Sequence, residues 1–226
     1  MQPLKGNQAY VSVEQRMILT LRDILPAAPG LHALFVAKTP APPSVKAGHY
    51  FQGRQGTSFW NSLKKYGLLR WTTGFEDDVL LDHGYGLTDI VKVPREFGKE
   101  PSVQEYRDGL PRILEMIRTH HPKVVVFVYK GVLDAVISLQ FRGKQKAKYG
   151  FNEDLESDFG ARVFPFPLPG VGNCTTALIC RAMQDLRNCL KACSKENDPI
   201  LALRGSGKEL WADEHADDYV RRLRRG

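Results

Sequence analysis

Short runs rich in hydrophobic residues recur along this chain, separated by segments in which hydrophobic residues return every three or four positions. The runs predict buried strands, and the spaced segments predict helices with one apolar face. The predicted strands are 31–37, 86–91, 124–128 and 162–166. The run 124–128 is apolar on both faces, as is typical of a parallel strand that helices cover on both sides.

Helical spacing and end signals predict the helices. Their predicted ranges are 11–25, 58–66, 102–120, 131–140, 174–195 and 212–224. Ser102 is a good N-cap with Glu105 three residues on, and Pro26 ends the first helix. The proline-rich segment 39–43 is interpreted as a loop that no regular element continues. The apolar positions that predict the first helix are Val13, Met17, Leu21 and Leu25.

Helices and strands alternate in this prediction, which indicates a three-layer α/β/α sandwich with a mostly parallel sheet of about four strands. We expect three parts. Residues 1–29 form an N-terminal helix and lead-in, 30–195 form the sandwich, and 196–226 form a tail with a short helix.

Ligands of such sheets bind outside the carboxyl ends of the strands. The dipeptides at those ends are Thr39-Pro40, Thr88-Asp89, Lys130-Gly131 and Phe166-Pro167. A carboxylate at this edge, such as that of Asp89, can orient a water molecule and stabilise positive charge. The alternative for Asp89 is that it caps a loop.

The segment 47–60, A-G-H-Y-F-Q-G-R-Q-G-T-S-F-W, places aromatic and glycine residues just after the first strand. This pattern predicts a pocket for a flat ring. Phe51 is the candidate for stacking, and the alternative is an ordinary core aromatic. Phe59 and Trp60 begin a helix and are expected in the core.

The chain carries a formal charge of +7 and has a sequence pI of about 9.2. This balance favours a polyanionic partner, although a generally basic surface explains it too. The cysteines lie between Cys174 and Cys193 on one predicted helix, spread too far along it to hold one metal ion. We therefore expect reduced thiols, no metal and no cofactor.

No apolar run reaches the roughly 18 residues that span a bilayer, and the N-terminus lacks the features of a secretory signal. We expect a cytoplasmic, nucleoid-associated monomer without membrane contact.

Several motifs together resemble the mismatch-specific uracil/thymine-DNA glycosylase branch of the uracil-DNA glycosylase superfamily. They are F-V-A-K-T-P at 35–40, G-H-Y-F at 48–51 with F-W at 59–60, G-L-T-D-I-V at 86–91, V-F-V-Y-K-G at 126–131 and the turn 167–173 before a helix. The resemblance covers about 30–193 and implies an α/β/α sandwich. It also implies hydrolysis of the N-glycosidic bond of a damaged or mismatched base in double-stranded DNA, after the nucleotide is flipped out.

The resemblance assigns roles to individual residues. Phe51, with Tyr50 beside it, lies under the flipped base. The turn 167–173 enters the minor groove, where Leu168 or Val171 is the wedge. Asn173 caps the following helix and contacts phosphate. The remaining candidate DNA contacts are Lys38, Lys130, Pro167 and Gly170.

The chain departs from the family pattern at the catalytic positions. Thr39 stands where the family has the water-holding asparagine, and Ala41 replaces a glycine. Phe166 stands where the family has a polar or thioether side chain. A threonine hydroxyl can still bind water but reaches less far, so Thr39 and Asp89 share the predicted catalytic role. The candidate base contacts are Pro40, His49, Tyr50, Phe51, Thr88 and Phe166.

The sequence thus predicts a monofunctional DNA glycosylase that uses water and forms no Schiff base. One alternative is a catalytically weak or inactive relative that binds DNA lesions. The other is an enzyme acting on a small nucleotide or another glycoside at the same sheet edge.

Overall fold

A computed structural model describes residues 3–13, 15–141, 144–170 and 174–196. Val171, Asn173 and the tail helix predicted over 212–224 lie outside these residues. The chain divides into two compact units, 1–190 and 191–226, and the described part of the second is the end of the last helix. Among the described residues, no helix has both the length and the apolar character needed to cross a membrane.

The described elements alternate strands and helices through most of the chain. The strands are β1 (Gln8–Val13), β2 (Arg16–Leu21), β3 (Ala33–Ala37), β4 (Tyr85–Asp89), β5 (Val124–Phe127) and β6 (Arg162–Pro165). The α-helices are α1 (Pro42–Ala47), α2 (Arg54–Lys65), α3 (Val103–His120), α4 (Lys130–Gln140), α5 (Glu156–Phe159) and α6 (Thr176–Glu196).

Within the described residues the central sheet has four parallel strands in the spatial order β4-β3-β5-β6. Ala37 pairs with Asp89 and Val36 pairs with Phe127, so the carboxyl ends of these strands meet at one edge. The predicted α/β sandwich and its parallel sheet are confirmed.

Each face of the sheet carries its own hydrophobic core. On one face, Phe35, Val126 and Phe164 pack with residues of α2 and α6, such as Phe59 and Met183. The opposite face packs against α3 and α4. Its core includes Val36, Val125, Phe127, Ile113 and Leu133. β5 is buried on both faces, as its sequence predicts.

The helix predicted over 11–25 is wrong, because β1 and β2 form an antiparallel hairpin there. A spacing of four residues fits both the helical and the strand repeat, and so does not discriminate between them. In the hairpin, Met17 is 63% exposed while Leu21 is fully buried. The described part of 1–29, residues 3–13 and 15–29, therefore contains this hairpin and a lead-in to the sheet.

A second correction concerns the proline-rich segment, in which α1 begins at Pro42. Proline is tolerated in the first turn of a helix, where the backbone N–H has no intrahelical partner. The predicted loop therefore ends at Ala41. α1 stops at Gly48, whose left-handed backbone conformation suits glycine.

Helix α3 approaches the end of β4 closely. The predicted capping box is confirmed, since the Glu105 N–H donates to Ser102 Oγ and the Ser102 N–H donates to Glu105 Oε2.

Farther along α3, a Cβ added at Gly109 would lie 2.1 Å from the Ile90 carbonyl oxygen. Glycine is therefore required for this packing of α3 against the loop after Asp89.

Gly109→Ala is expected to lower the free energy of unfolding by about 1 to 3 kcal/mol, because the added methyl group displaces the backbone at Ile90. Urea denaturation measures the change. Gly131→Ala in α4 is the matched control, because its Cβ meets no heavy atom within 4 Å. That variant should be at least as stable as the wild type. Equal losses in the two variants would contradict the close contact.

Candidate functional site

A buried carboxylate, Asp89, lies at the carboxyl edge of the sheet. It ends β4 beside Ala37, and Thr39 follows Ala37 two residues later. Asp89 is 1% exposed, and its Oδ2 atom has no hydrogen-bond partner in the described part of the chain. An unpartnered oxygen of this kind can accept a hydrogen bond from a bound water molecule.

The pKa of Asp89 is unusually high, and burial of the side chain is the main cause. It raises the pKa of Asp89 to about 6, while the positive charge of Lys92 acts in the opposite direction. The negative charge of Asp23 raises the pKa further, and Arg112 lowers it. A carboxyl group with a pKa near 6 is mostly ionised at pH 7 yet remains a better proton acceptor than an ordinary aspartate.

The aromatic loop after α1 is held by the buried side chain of Asp77. Asp77 Oδ2 accepts from the Tyr50 N–H at 2.8 Å and from Asn7 Nδ2 at 3.1 Å, and Oδ1 lies 2.8 Å from His49 Nδ1. The His49 ring also stacks on Phe75, with 3.6 Å between ring centroids. These contacts fix the loop that carries Phe51.

Phe51 is half-buried, whereas the rings of His49 and Tyr50 just before it are buried. Its backbone has φ 58°, which is uncommon for a residue with a bulky side chain. The ring packs against Phe59 and Trp60, with centroids 4.7 and 5.6 Å away. A Cβ at Gly56 would lie 2.0 Å from the Phe51 carbonyl oxygen, so glycine permits this turn. Phe51 thus combines a fixed backbone with partial exposure.

His49 and Tyr50, predicted to contact the base, are instead engaged in internal contacts. Tyr50 is 2% exposed, and its hydroxyl donates to the Arg22 carbonyl. Nitrogen and oxygen atoms of His49, Asp77 and Asp78 lie within 4.8 Å of one another, a geometry compatible with a metal ion. The hydrogen bonds to Asp77 already account for that closeness, and we interpret the cluster as a loop anchor.

Thr88 and Phe166 also turn out to be internal. Thr88 donates to Asp23 Oδ1 and accepts from Arg112 Nη1, on the face of the sheet opposite to Asp89. Adjacent strand residues point to opposite faces of the sheet, and the Thr88 hydroxyl is already bound to Asp23 and Arg112, so it is not free to contact a base. Phe166 is 1% exposed and packs against Phe59, so it is a core residue.

Of the two residues predicted as the wedge, Leu168 lies in the described part of the chain and Val171 does not. Leu168 is 3% exposed and belongs to the hydrophobic core, and Pro167 and Pro40 are buried too. Gly170 is exposed and has φ 76°. Leu168 therefore cannot enter a DNA groove from its place in this structure.

Lys38 and Lys130 follow their strands as predicted, but each contacts a carboxylate. Lys38 pairs with Glu100 and lies over the Tyr129 ring, and Lys130 Nζ lies 2.6 Å from Asp134 Oδ2. Both side chains are 23% exposed. Since partly exposed ion pairs are weak, the pairing does not prevent contact with a phosphate group.

Three charged residues that were not predicted from the sequence surround Asp89, namely Asp23, Lys92 and Arg112. Lys92 Nζ lies 4.0 Å from Asp89 Oδ2, and Arg112 donates to the Asp89 main-chain carbonyl. The position of Lys92 three residues after Asp89 was an available signal. Asp23 and Arg112 are distant in sequence from Asp89, and no sequence pattern connects them with it.

Comparisons with known proteins agree with the fold. A family model described as the uracil DNA glycosylase superfamily matches residues 27–193. The chain is also 27% identical over 137 residues to a G/U mismatch-specific uracil DNA glycosylase of Schizosaccharomyces pombe. That alignment covers 59% of this chain and 42% of the S. pombe protein, less than half of that relative's length. The family match extends over most of the chain and confirms the resemblance of its motifs, and the chain belongs to the uracil DNA glycosylase superfamily.

Proposed function

We propose that this protein is a DNA glycosylase of base excision repair. It hydrolyses the N-glycosidic bond of a mispaired or deaminated base in double-stranded DNA, namely uracil or thymine opposite guanine, or a deaminated purine. Membership of the superfamily supports the reaction class. The observation that carries the proposal is the buried Asp89 carboxylate, with one unpartnered oxygen at the ligand-binding edge of the sheet.

In the proposed mechanism the target nucleotide leaves the DNA stack and its base lies against Phe51. The bond between the base and the sugar C1′ breaks, and the electron pair leaves with the base. Positive charge develops on the sugar, which the Asp89 carboxylate stabilises. A water molecule held by Asp89 and the Thr39 hydroxyl attacks C1′ and gives its proton to Asp89.

The cationic side chains have supporting roles in this proposal. Lys38 and Lys130 lie at the same edge and bind phosphate groups. Water, and not a lysine amine, is the nucleophile, so no Schiff base forms. The protein acts as a monomer without a metal or another cofactor.

Duplexes containing uracil, thymine, hypoxanthine or xanthine opposite guanine, followed by alkali, test the proposal. We expect strand breaks at one or more of these bases and no covalent complex after borohydride treatment. Asp89→Asn should reduce the single-turnover rate by about 100-fold or more, because the amide cannot accept the proton. Asp108→Asn, at an exposed position of α3, is the matched control and should keep the wild-type rate.

Wild-type protein that binds these duplexes but cleaves none would instead support the lesion-binding alternative. Thr39, with its shorter reach than asparagine, is the feature that favours this outcome.

Asp89→Asn should also make the protein more stable at pH 7. The pKa of Asp89, about 6 when folded, lies above the ordinary value of 3.8. Ionisation of Asp89 therefore destabilises the folded state. This destabilisation is complete above pH 6 and disappears as the pH falls to 4. Because one pKa unit corresponds to about 1.4 kcal/mol, the expected gain is about 1 to 3 kcal/mol at pH 7. Urea denaturation at pH 7 and pH 4 measures it. A gain of the same size at both pH values would contradict this explanation.

Phe51→Ala should weaken binding to damaged duplexes by about 5- to 100-fold, because stacking of a base on an aromatic ring contributes about 1 to 3 kcal/mol. Phe51→Tyr keeps the ring and should bind like the wild type. Phe51→Leu keeps apolar contact with Phe59 but not the ring, and should resemble Phe51→Ala in DNA affinity. Fluorescence anisotropy measures the affinity. Wild-type affinity in Phe51→Leu would show that the ring does not stack on the base.

A further inference from the structure

A buried network of charges connects the segment after β2 with the end of β4. Asp23 Oδ1 lies 2.6 Å from Lys92 Nζ and accepts from Thr88 Oγ1, and Asp23 Oδ2 accepts from Arg112 Nη1 at 2.9 Å. Burial would raise the pKa of Asp23, but Lys92 and Arg112 lower it below its ordinary value. Asp23 is therefore ionised over the whole neutral range.

The Lys92 ammonium group has three N–H donors, and three near acceptors surround it. They are Asp23 Oδ1 at 2.6 Å, the Leu21 carbonyl at 3.0 Å and the Tyr50 hydroxyl at 3.2 Å. Asp89 Oδ2 lies farther away, at 4.0 Å. The geometry explains why Asp89 Oδ2 has a positive charge nearby but no hydrogen bond.

Asp23 also orders the backbone at Asp89 through Arg112. The guanidinium group donates to the Asp23 carboxylate through Nη1 and to the Asp89 main-chain carbonyl through Nη2. Two tyrosines complete the ionisable surroundings of Asp89. Burial and the Asp89 charge raise the pKa of Tyr50 well above its ordinary value and that of Tyr129 to about 12. Both stay neutral near pH 7.

Asp23 lies outside the part of the chain that the family model matches. The family model begins at residue 27, and Asp23 lies ahead of it, directly after the β1–β2 hairpin. The hairpin is attached at the same place, because Thr20 Oγ1 donates to the Lys92 carbonyl at 2.6 Å. A segment outside the matched family domain thus contacts the loop that follows Asp89.

We propose that Asp23 is a positioning residue, which holds the Lys92 ammonium group 4.0 Å from Asp89 Oδ2 and leaves that oxygen atom free to accept a hydrogen bond from the attacking water. This inference rests on the proposed function. When Asp23 is neutral, Lys92 loses its nearest anionic partner and moves to Asp89, where a direct ion pair weakens the carboxylate as a base and blocks the water site.

The test uses the full-length chain and two readouts. The first is the titration midpoint of the Asp89 carboxyl carbon by NMR, assigned by comparison with Asp89→Asn, and it requires no activity. The second is the single-turnover cleavage rate across pH 5 to 9. The variants are Asp23→Asn, Lys92→Met and the double variant, and the control is Glu115→Gln, which alters an exposed ion pair with Arg118.

Opposite shifts are expected from the two single variants. Asp23→Asn should lower the Asp89 midpoint from about 6, because it removes a negative charge and lets Lys92 approach. Lys92→Met should raise the midpoint, because it removes a positive charge. Glu115→Gln should leave the midpoint unchanged. A midpoint in Asp23→Asn equal to or above that of the wild type would overturn the proposal.

Cleavage separates positioning from a purely structural role. Asp23→Asn should be at least about tenfold slower than the wild type at pH 7, and the double variant should be faster than Asp23→Asn, because no lysine remains to occupy Asp89. A double variant no faster than Asp23→Asn would refute the role. If Asp23→Asn does not fold, Lys92→Met still tests the proposal. Its Asp89 carboxyl group should ionise at higher pH, so its cleavage rate should recover as the pH rises to 9. Loss of cleavage at every pH would count against the proposal.

Failure of the proposed function gives a different result. The wild type would then cleave none of the duplexes, while the NMR midpoints would still report whether Asp23 keeps Lys92 from Asp89.

Discussion

The cost of burying a carboxylate at the end of β4 shapes the structure around it. Removing a charged group from water is unfavourable unless charges and hydrogen bonds compensate it. Around Asp89 the compensation is incomplete, because Lys92 stands 4.0 Å away and Oδ2 accepts no hydrogen bond from the described residues. The fold thus maintains a carboxylate less stabilised by its surroundings than an ordinary surface aspartate. Such a group has more affinity for a proton, which is the property that a general base requires.

The same residues that hold Asp89 also connect parts of the chain that are distant in sequence. Lys92 binds Asp23 and Leu21 from the hairpin side, and its ammonium contacts the hydroxyl of Tyr50 in the aromatic loop. That loop is in turn held by Asp77, which accepts the Tyr50 N–H. Phe51, next to Tyr50, therefore occupies a place fixed by the same set of contacts that surrounds Asp89. The Phe51 ring and the Asp89 carboxylate are therefore held by one connected set of contacts.

The sequence predicted the sheet well because its strands are buried runs, and it pointed to Asp89 because a carboxylate ends one of them. It did not predict the hairpin, since residues spaced by four satisfy both a helix and a strand. The network around Asp23 was not predicted for a different reason. Asp23 and Arg112 lie 89 residues apart, and no local sequence pattern connects them. Leu168, one of the two predicted wedge residues, is buried, because a hydrophobic residue in a turn can pack inward as readily as it can face a ligand. Family motifs assign positions to roles, but the structure shows which side chains have all their contacts inside the protein and which, like Asp89, keep an unpartnered atom.

In the proposed mechanism, Thr39 and the hairpin that precedes the matched region act on the same water molecule. Because the Thr39 side chain is short, the water molecule proposed to attack C1′ needs a second acceptor. Asp89 can supply one only if its oxygen is not already occupied by Lys92. A lysine three residues away in a partly buried loop would ordinarily form a direct ion pair with that carboxylate, because opposite charges attract strongly where water is excluded. The hairpin segment places a competing carboxylate, Asp23, 2.6 Å from the same ammonium group. In the proposed mechanism, Thr39 and Asp23, which lies outside the region that the family model matches, therefore both serve to hold water at Asp89.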